Sequence, residues 1–162
     1  KVACQSGTYI RKLCYDVGEV IGCGAHMQEL RRTRSGPFTE DDLYTLYDLS
    51  EAVDMRQEGD DSKLREIVRP FEDAMLLLPK IVIRDTAVEA ICTGAQLAIP
   101  GILTFESGIK EDDLIGVMTQ KGEVVALMRA DMSSGKIQAE NNGIAATIER
   151  VLMPNGVYPK SW

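Results

Sequence analysis

Residues 79–101 read PKIVIRDTAVEAICTGAQLAIPG, and the order of signals in this stretch decides the architecture. Pro79 marks a boundary. Ile81-Val82-Ile83 is a β-branched run suited to a buried strand, and Thr86 with Glu89 has the spacing of a capping box that opens a short helix. Gly94 closes that helix, because glycine accepts the left-handed conformation that ends one. Pro100-Gly101 suits the centre of a type II turn, where proline presets the first dihedral and glycine takes the positive one. A strand, a short helix and a turn in such quick succession predict a compact unit of short elements.

Downstream, residues 114–119 and 123–129 are predicted strands joined through Lys121-Gly122, and 144–153 is another. Several short strands with one early helix predict a small, mostly-β barrel of about 80 residues. Upstream the chain changes character. From 39 to 78 the pattern is helical and acidic. Leu43, Leu46, Leu49 and Val53 recur at helical spacing, a break runs through Glu58-Gly59-Asp60-Asp61, and a second helix is predicted over 64–77. Further back, 1–4 reads as the end of a strand. Ile10, Leu13, Cys14, Val17 and Ile21 mark a helix with Thr8 as its expected N-cap, ended by Gly22-Cys23-Gly24. Residues 26–35 then read as a strand that places His26, Gln28, Leu30, Arg32 and Arg34 on one face, before the Gly36-Pro37 break. The expected class is α+β, with a first domain at 1–78 and a second at 79–162.

The chain has 162 residues, of which 44% are hydrophobic, enough for one ordinary domain or two small ones. No run approaches the roughly 20 apolar residues that span a bilayer. The opening KVACQSG has neither a signal peptide's apolar core nor an initiator Met, so a cytoplasmic protein lacking its N-terminal part, without a membrane partner, is expected. Three of the four cysteines fall inside apolar patterns and are expected to be buried free thiols. Cys23 and His26 have CxxH spacing but no second pair of ligands to complete a zinc site, so no metal is expected.

The net charge of -7 is unevenly placed. Residues 1–38 carry six Lys/Arg against three Asp/Glu, 39–78 carry four against twelve, and 79–162 carry eight against ten. The basic front suits phosphate, whereas the acidic middle suits solvent or a protein partner. Arg31, Arg32 and Arg34 lie within four residues of each other and are candidate phosphate contacts. Arg11 and Lys12 fall in a first helical turn, where the helix dipole disfavours cations, so an anion is expected beside them.

Several segments, in order, carry a family resemblance: GTYIRKL (7–13), GCGAH (22–26), LRRTRSG (30–36), GPFTEDDLYTLYDLSEAV (36–53), LREIVRPFEDAMLLLPKIVIRDTAVEAICTGAQLAIPGI (64–102) and ERVLMPNGVYPKSW (149–162). The first three resemble late catalytic-domain motifs of the TruB-type RNA pseudouridine synthases, in the version of archaeal dyskerin homologues. The others are similar to that family's linker helices, PUA RNA-binding domain and C-terminus. The resemblance implies the remnant of a mixed α/β catalytic domain followed by a PUA pseudo-barrel. It also implies an enzyme that isomerises uridine to pseudouridine without cofactor or metal. Carried over by position, Arg11 would pair with the catalytic aspartate, Tyr9 would line the uridine pocket and Leu30 would pack near the target base. An aspartate that must act as an anion is kept ionised by such a pair.

That nucleophilic aspartate belongs to the family's earlier half, and no aspartate here sits in its context, so this chain alone is expected to be inactive. The implied partners are tRNA, an H/ACA guide RNA directing rRNA modification together with small H/ACA ribonucleoprotein companion proteins, or both. In the guide-RNA version the PUA domain reads an ACA trinucleotide. By position its RNA surface would include Gly94, Ala95, Pro100 and Gly101, with Lys80 and Arg84 as phosphate partners. Tyr158, Pro159, Lys160 and Trp162 either contact RNA or pack on the first domain. Two other readings stay open: a PUA module that binds RNA without catalysis, and an assembly platform whose acidic 39–78 segment meets basic proteins.

Overall fold

The structure, a computed structural model, describes residues 1–160, so Trp162 lies outside the described residues. The chain divides into two compact units, Lys1–Leu43 and Tyr44–Trp162.

The first unit is built on α1 (Ile10–Ile21). Its N-cap is Tyr9, with no side-chain capping bond, and not the expected Thr8. Gly22 at φ 80° closes it, as the glycine pair predicted. Gly18 is the one buried residue of this helix, because the chain folds back over it. The Gly24 N–H donates to the Gly18 carbonyl at 3.1 Å, and a Cβ on Gly18 would stand 2.2 Å from the Ala25 nitrogen. Gly18→Ala would favour an isolated helix by about 1 kcal/mol. Here the sign reverses, since backbone atoms must move, and the variant is expected to lose helical circular dichroism at 222 nm.

Two strands predicted in this unit are corrected. Residues 1–4 form no strand, and of 26–35 only β1 (Arg34–Ser35) is one, pairing with β2 (Phe38–Thr39) across the Gly36-Pro37 turn. Alternation alone cannot make a strand, because the ladder needs a hydrogen-bonding neighbour. Among the described residues, 26–33 pair with no strand.

In the second unit, α2 (Leu46–Gln57) begins at a reciprocal cap: the Thr45 side chain accepts the Asp48 N–H at 3.2 Å, and the Asp48 carboxylate accepts the Thr45 N–H at 2.7 Å. Only Ala52 of this helix is buried, so the predicted Leu46, Leu49 and Val53 stripe does not form a core. The second helix stops early. It runs as α3 (Ser62–Ile67), because Pro70 cannot continue a helix and restricts Arg69 before it. A 3₁₀ turn at Phe71–Met75 follows and ties this segment to the sheet. The Glu72 carboxylate accepts the Val124 N–H at 3.0 Å, and Met75 packs with Met118 and Val124.

The strands are β3 (Lys80–Ile83), β4 (Leu97–Ala98), β5 (Ile102–Phe105), β6 (Leu114–Met118), β7 (Val124–Ala130) and β8 (Ile144–Val151), in the sheet order β4-β8-β7-β6-β3-β5. Only the β3–β6 pair is parallel. The two edge strands, β4 and β5, follow one another in the chain, joined by a 3₁₀ turn at Ile99–Gly101. That short link brings the ends of the two edge strands together and curls the sheet towards closure. One helix, α4 (Asp85–Cys92), sends Val88 and Ile91 into the core with Ile81, Ile83, Ile115, Val117 and Met128. The fold is α+β, as expected.

Other expectations are corrected here. Thr86 and Glu89 form no capping box, because α4 starts at Asp85 and the Glu89 carboxylate is bound elsewhere. Gly101 does not take a positive φ, so no type II turn forms. Its glycine is a matter of space, since a Cβ there would lie 3.2 Å from that of Ala87. A second barrel helix, α5 (Ser134–Ala139), was not foreseen. None of the cysteines is buried: Cys4 and Cys23 are exposed, Cys14 and Cys92 partly so.

Candidate RNA interface

In the barrel unit, the predicted RNA-contact residues gather at the two ends of α4. At its start, the Arg84 backbone N–H donates to the Gly101 carbonyl at 2.9 Å and the Arg84 Nε donates to the Pro100 carbonyl at 3.1 Å. Arg84, Pro100 and Gly101 therefore form one corner. The exposed Arg84 keeps most of its guanidinium donors available for a phosphate. At the other end, Gly94 takes φ 104°, and the Ala95 N–H donates to the Ala90 carbonyl at 2.9 Å. Gly94 and Ala95 are exposed, so the backbone can be approached closely there. A helix of this length separates the two corners by about 12 Å. Lys80, on β3, faces Glu106 at 3.7 Å.

The tail does not supply aromatic stacking from Tyr158. That ring is 8% exposed and belongs to the barrel core, and its hydroxyl donates to Glu123 at 2.6 Å. Pro159 and Lys160 are exposed. The Tyr158 bond, followed by one from the Thr119 hydroxyl, holds the Glu123 carboxyl below its ordinary value.

In the first unit, Tyr9 is 80% exposed beside the exposed Arg11, and Leu30 is 58% exposed. Arg11 makes no hydrogen bond or ion pair among the described residues, whereas the adjacent Lys12 pairs with Asp16. The three clustered arginines differ. Arg31 pairs with Glu40, and Arg34 donates to the Gly36 carbonyl at 3.0 Å. Arg32 is exposed and unpaired among the described residues, at a shallow pocket of about 70 Å³ that Arg34 and Phe38 also line.

A larger groove of about 420 Å³ lies on the barrel unit between Glu111, Asp112, Arg129, Asp131, Thr147 and Glu149. Arg129 there already faces Glu149 at 3.2 Å and Asp112 at 3.5 Å, so the remaining carboxylates make the groove hostile to phosphate. No described helix is long and apolar enough to cross a membrane.

Residues 11–76 match the family model of the tRNA pseudouridylate synthase B C-terminal domain, and residues 79–152 match that of the PUA domain. The chain is 52% identical over its whole length to a probable tRNA pseudouridine synthase B of Methanosarcina barkeri, covering 48% of that protein. It is 54% identical to a protein of the same description from Archaeoglobus fulgidus, covering 50% of it. The chain thus spans about half the length of these curated relatives. Among solved structures, it resembles a chain of an archaeal box H/ACA sRNP Nop10–Cbf5 complex with a TM-score of 0.92 at 47% identity, over 98% of this chain and 52% of that one. A chain of an H/ACA RNP bound to a substrate RNA containing 2′-deoxyuridine matches with a TM-score of 0.90 at 46% identity, over 97% of this chain and 50% of that one.

Proposed function

Because the chain belongs to the tRNA pseudouridine synthase B family and carries that family's C-terminal domain followed by a PUA domain, we propose that it is the RNA-gripping half of an RNA pseudouridine synthase. The complete protein isomerises uridine to pseudouridine in tRNA, at the position-55 type of site, or in rRNA chosen by an H/ACA guide RNA. It works in the cytoplasm, without cofactor, and with small companion proteins in the guided version. Domain 1–78 contributes Arg11, Tyr9 and Leu30 to the uridine pocket, with Arg31, Arg32 and Arg34 on the phosphates beside it. Domain 79–162 holds RNA through Lys80, Arg84, Gly94, Ala95, Pro100 and Gly101. The aspartate nucleophile comes from outside this chain.

The observation that carries this reading is the 0.92 TM-score at 47% identity to a protein crystallised within an H/ACA assembly. The exposed corners at both ends of α4 support it, since they offer a cation and approachable backbone to a strand of RNA. The test is binding of this chain to an H/ACA 3′ stem ending in ACA against the same stem with the triplet scrambled, over a salt series. Preference for ACA of about tenfold or more, within the range of one or two base mismatches, is expected. Equal binding that salt abolishes would leave only phosphate attraction and overturn base reading by the barrel.

A further inference from the structure

Contacts that RNA binding does not require converge on α4 from two parts of the barrel unit. At the helix's first turn the Gln120 amide, in the β6–β7 turn, donates to Asp85 at 3.3 Å. One turn further on, Glu89 is 5% exposed, and its carboxylate accepts the backbone N–H of Gly156 at 2.9 Å. Two residues later in the tail, the Tyr158 hydroxyl donates to Glu123, next to the same β6–β7 turn, while Lys121 stands 5.2 Å from the Tyr158 ring centre. The tail thus crosses from α4 to the β6–β7 turn and is fastened at both places by a carboxylate.

A carboxylate at position 89 is a costly way to fill space. Val88 and Ile91 already supply the helix's apolar contacts, and a buried charge is retained only where its bonds are satisfied. What the carboxylate adds is direction, because a charge-assisted bond fixes where the tail runs relative to the helix. The helix end is coupled to the same residue. The Glu89 carbonyl accepts both the N–H of Thr93, at 3.0 Å, and its hydroxyl, at 3.1 Å, immediately before Gly94.

We propose that tail residues 153–158 are a positioning element for α4, with Glu89 and Tyr158 as its anchors. By holding the helix they hold the Gly94–Ala95 corner in the conformation that discriminates bases, a role that rests on the RNA-reading surface proposed above. Glu89 and Tyr158 touch no RNA in this scheme. They act through the corner.

The test compares Glu89→Ala, Glu89→Gln and Tyr158→Phe in the full chain, by amide exchange at Gly94 and Ala95 and by the ratio of ACA to scrambled affinity. Glu89→Ala is expected to speed exchange at the corner and to lower the affinity ratio, each by about tenfold, the scale of one lost bond to a charged group. The salt slope should stay unchanged, since no phosphate contact is lost. Glu89→Gln keeps an acceptor oxygen for Gly156 without the charge and should fall between wild type and Glu89→Ala on both readouts, a grading that a general loss of packing would not give. A Glu89→Ala protein that melts cooperatively with corner exchange and affinity ratio unchanged overturns the proposal. If Glu89→Ala does not fold, Tyr158→Phe decides, because it deletes one hydroxyl and leaves the ring in place. A smaller shift in the same direction supports positioning, and no shift overturns it. Wild-type chain without ACA preference overturns the RNA reading instead, and exchange at the corner then judges the latch by itself.

Discussion

Transferred to heavy water at neutral pH, this chain is expected to exchange the amides of α1 early while those of β7 remain protected by about a thousandfold or more. Exchange with rates read residue by residue would check it. The contrast follows from what each unit buries. Among residues 1–43 only Gly18 is buried, and it has no side chain to contribute. Val17, Val20 and Ile21 of α1 are exposed, as is Leu13. A helix of 12 residues without tertiary burial is marginal in water, since nucleation must be offset by few propagating bonds. Its N-terminus adds nothing, having no side-chain cap, no acidic residue in the first turn, and two cations placed against the dipole. By contrast, Val124, Val125, Ala126, Met128 and Ala130 of β7 are buried, and the strand is paired on both sides. Each buried Val or Met side chain contributes about 1.5–3 kcal/mol. One cooperative transition that covers both units in urea, with α1 as protected as β7, would show that residues 1–43 gain stability from more than the burial of Gly18.

How much of this was legible beforehand depends on the kind of signal each segment carries. Residues 81–83, 114–119, 123–129 and 144–153 were readable as strands because apolar burial on paired strands leaves a dense β-branched record. Gly22 and Gly94 were readable as helix ends because only glycine is cheap at positive φ. Residues 26–35 misled, since alternation records what a strand would need and not whether a neighbour exists to pair with it. The α5 helix escaped because it is six residues long and buries Ile137 alone, too little for a period to show. Glu89 departs from its local pattern for a related reason. Its spacing from Thr86 satisfies a local rule, but its partner, Gly156, is 67 residues away, and no local pattern reports a bond of that range. Tyr158, expected either to contact RNA or to pack on the first domain, instead joins the barrel core. Nothing near it in sequence reveals Glu123 as its acceptor.

On the function proposed above, Arg11→Ala in the full-length protein is expected to lower the rate of pseudouridine formation by about a hundredfold to several thousandfold, the equivalent of the roughly 3–5 kcal/mol lost when one partner of a buried ion pair is removed. The argument begins with placement. Arg11 sits in the first turn of α1, where the helix's own partial charge opposes it, and it has no compensating partner among the described residues. Lys12 beside it resolves the same problem with Asp16 one turn along. A cation left in that position suits an anion arriving from elsewhere, and the family resemblance supplies one, the catalytic aspartate. Arg11→Lys should recover only a small part of the loss, because an ammonium keeps the charge but not the planar fork that orients a carboxylate. Binding separates this role from a phosphate contact. If Arg11 serves the aspartate, RNA affinity and its salt slope should barely change while turnover falls. Arg32→Ala should do the reverse, weakening binding to all sequences alike and reducing the salt slope by about 1. Single-turnover rates and binding isotherms on the same three variants distinguish the two. An Arg11→Ala enzyme with normal turnover and weakened binding would move Arg11 from the uridine pocket to the phosphate surface.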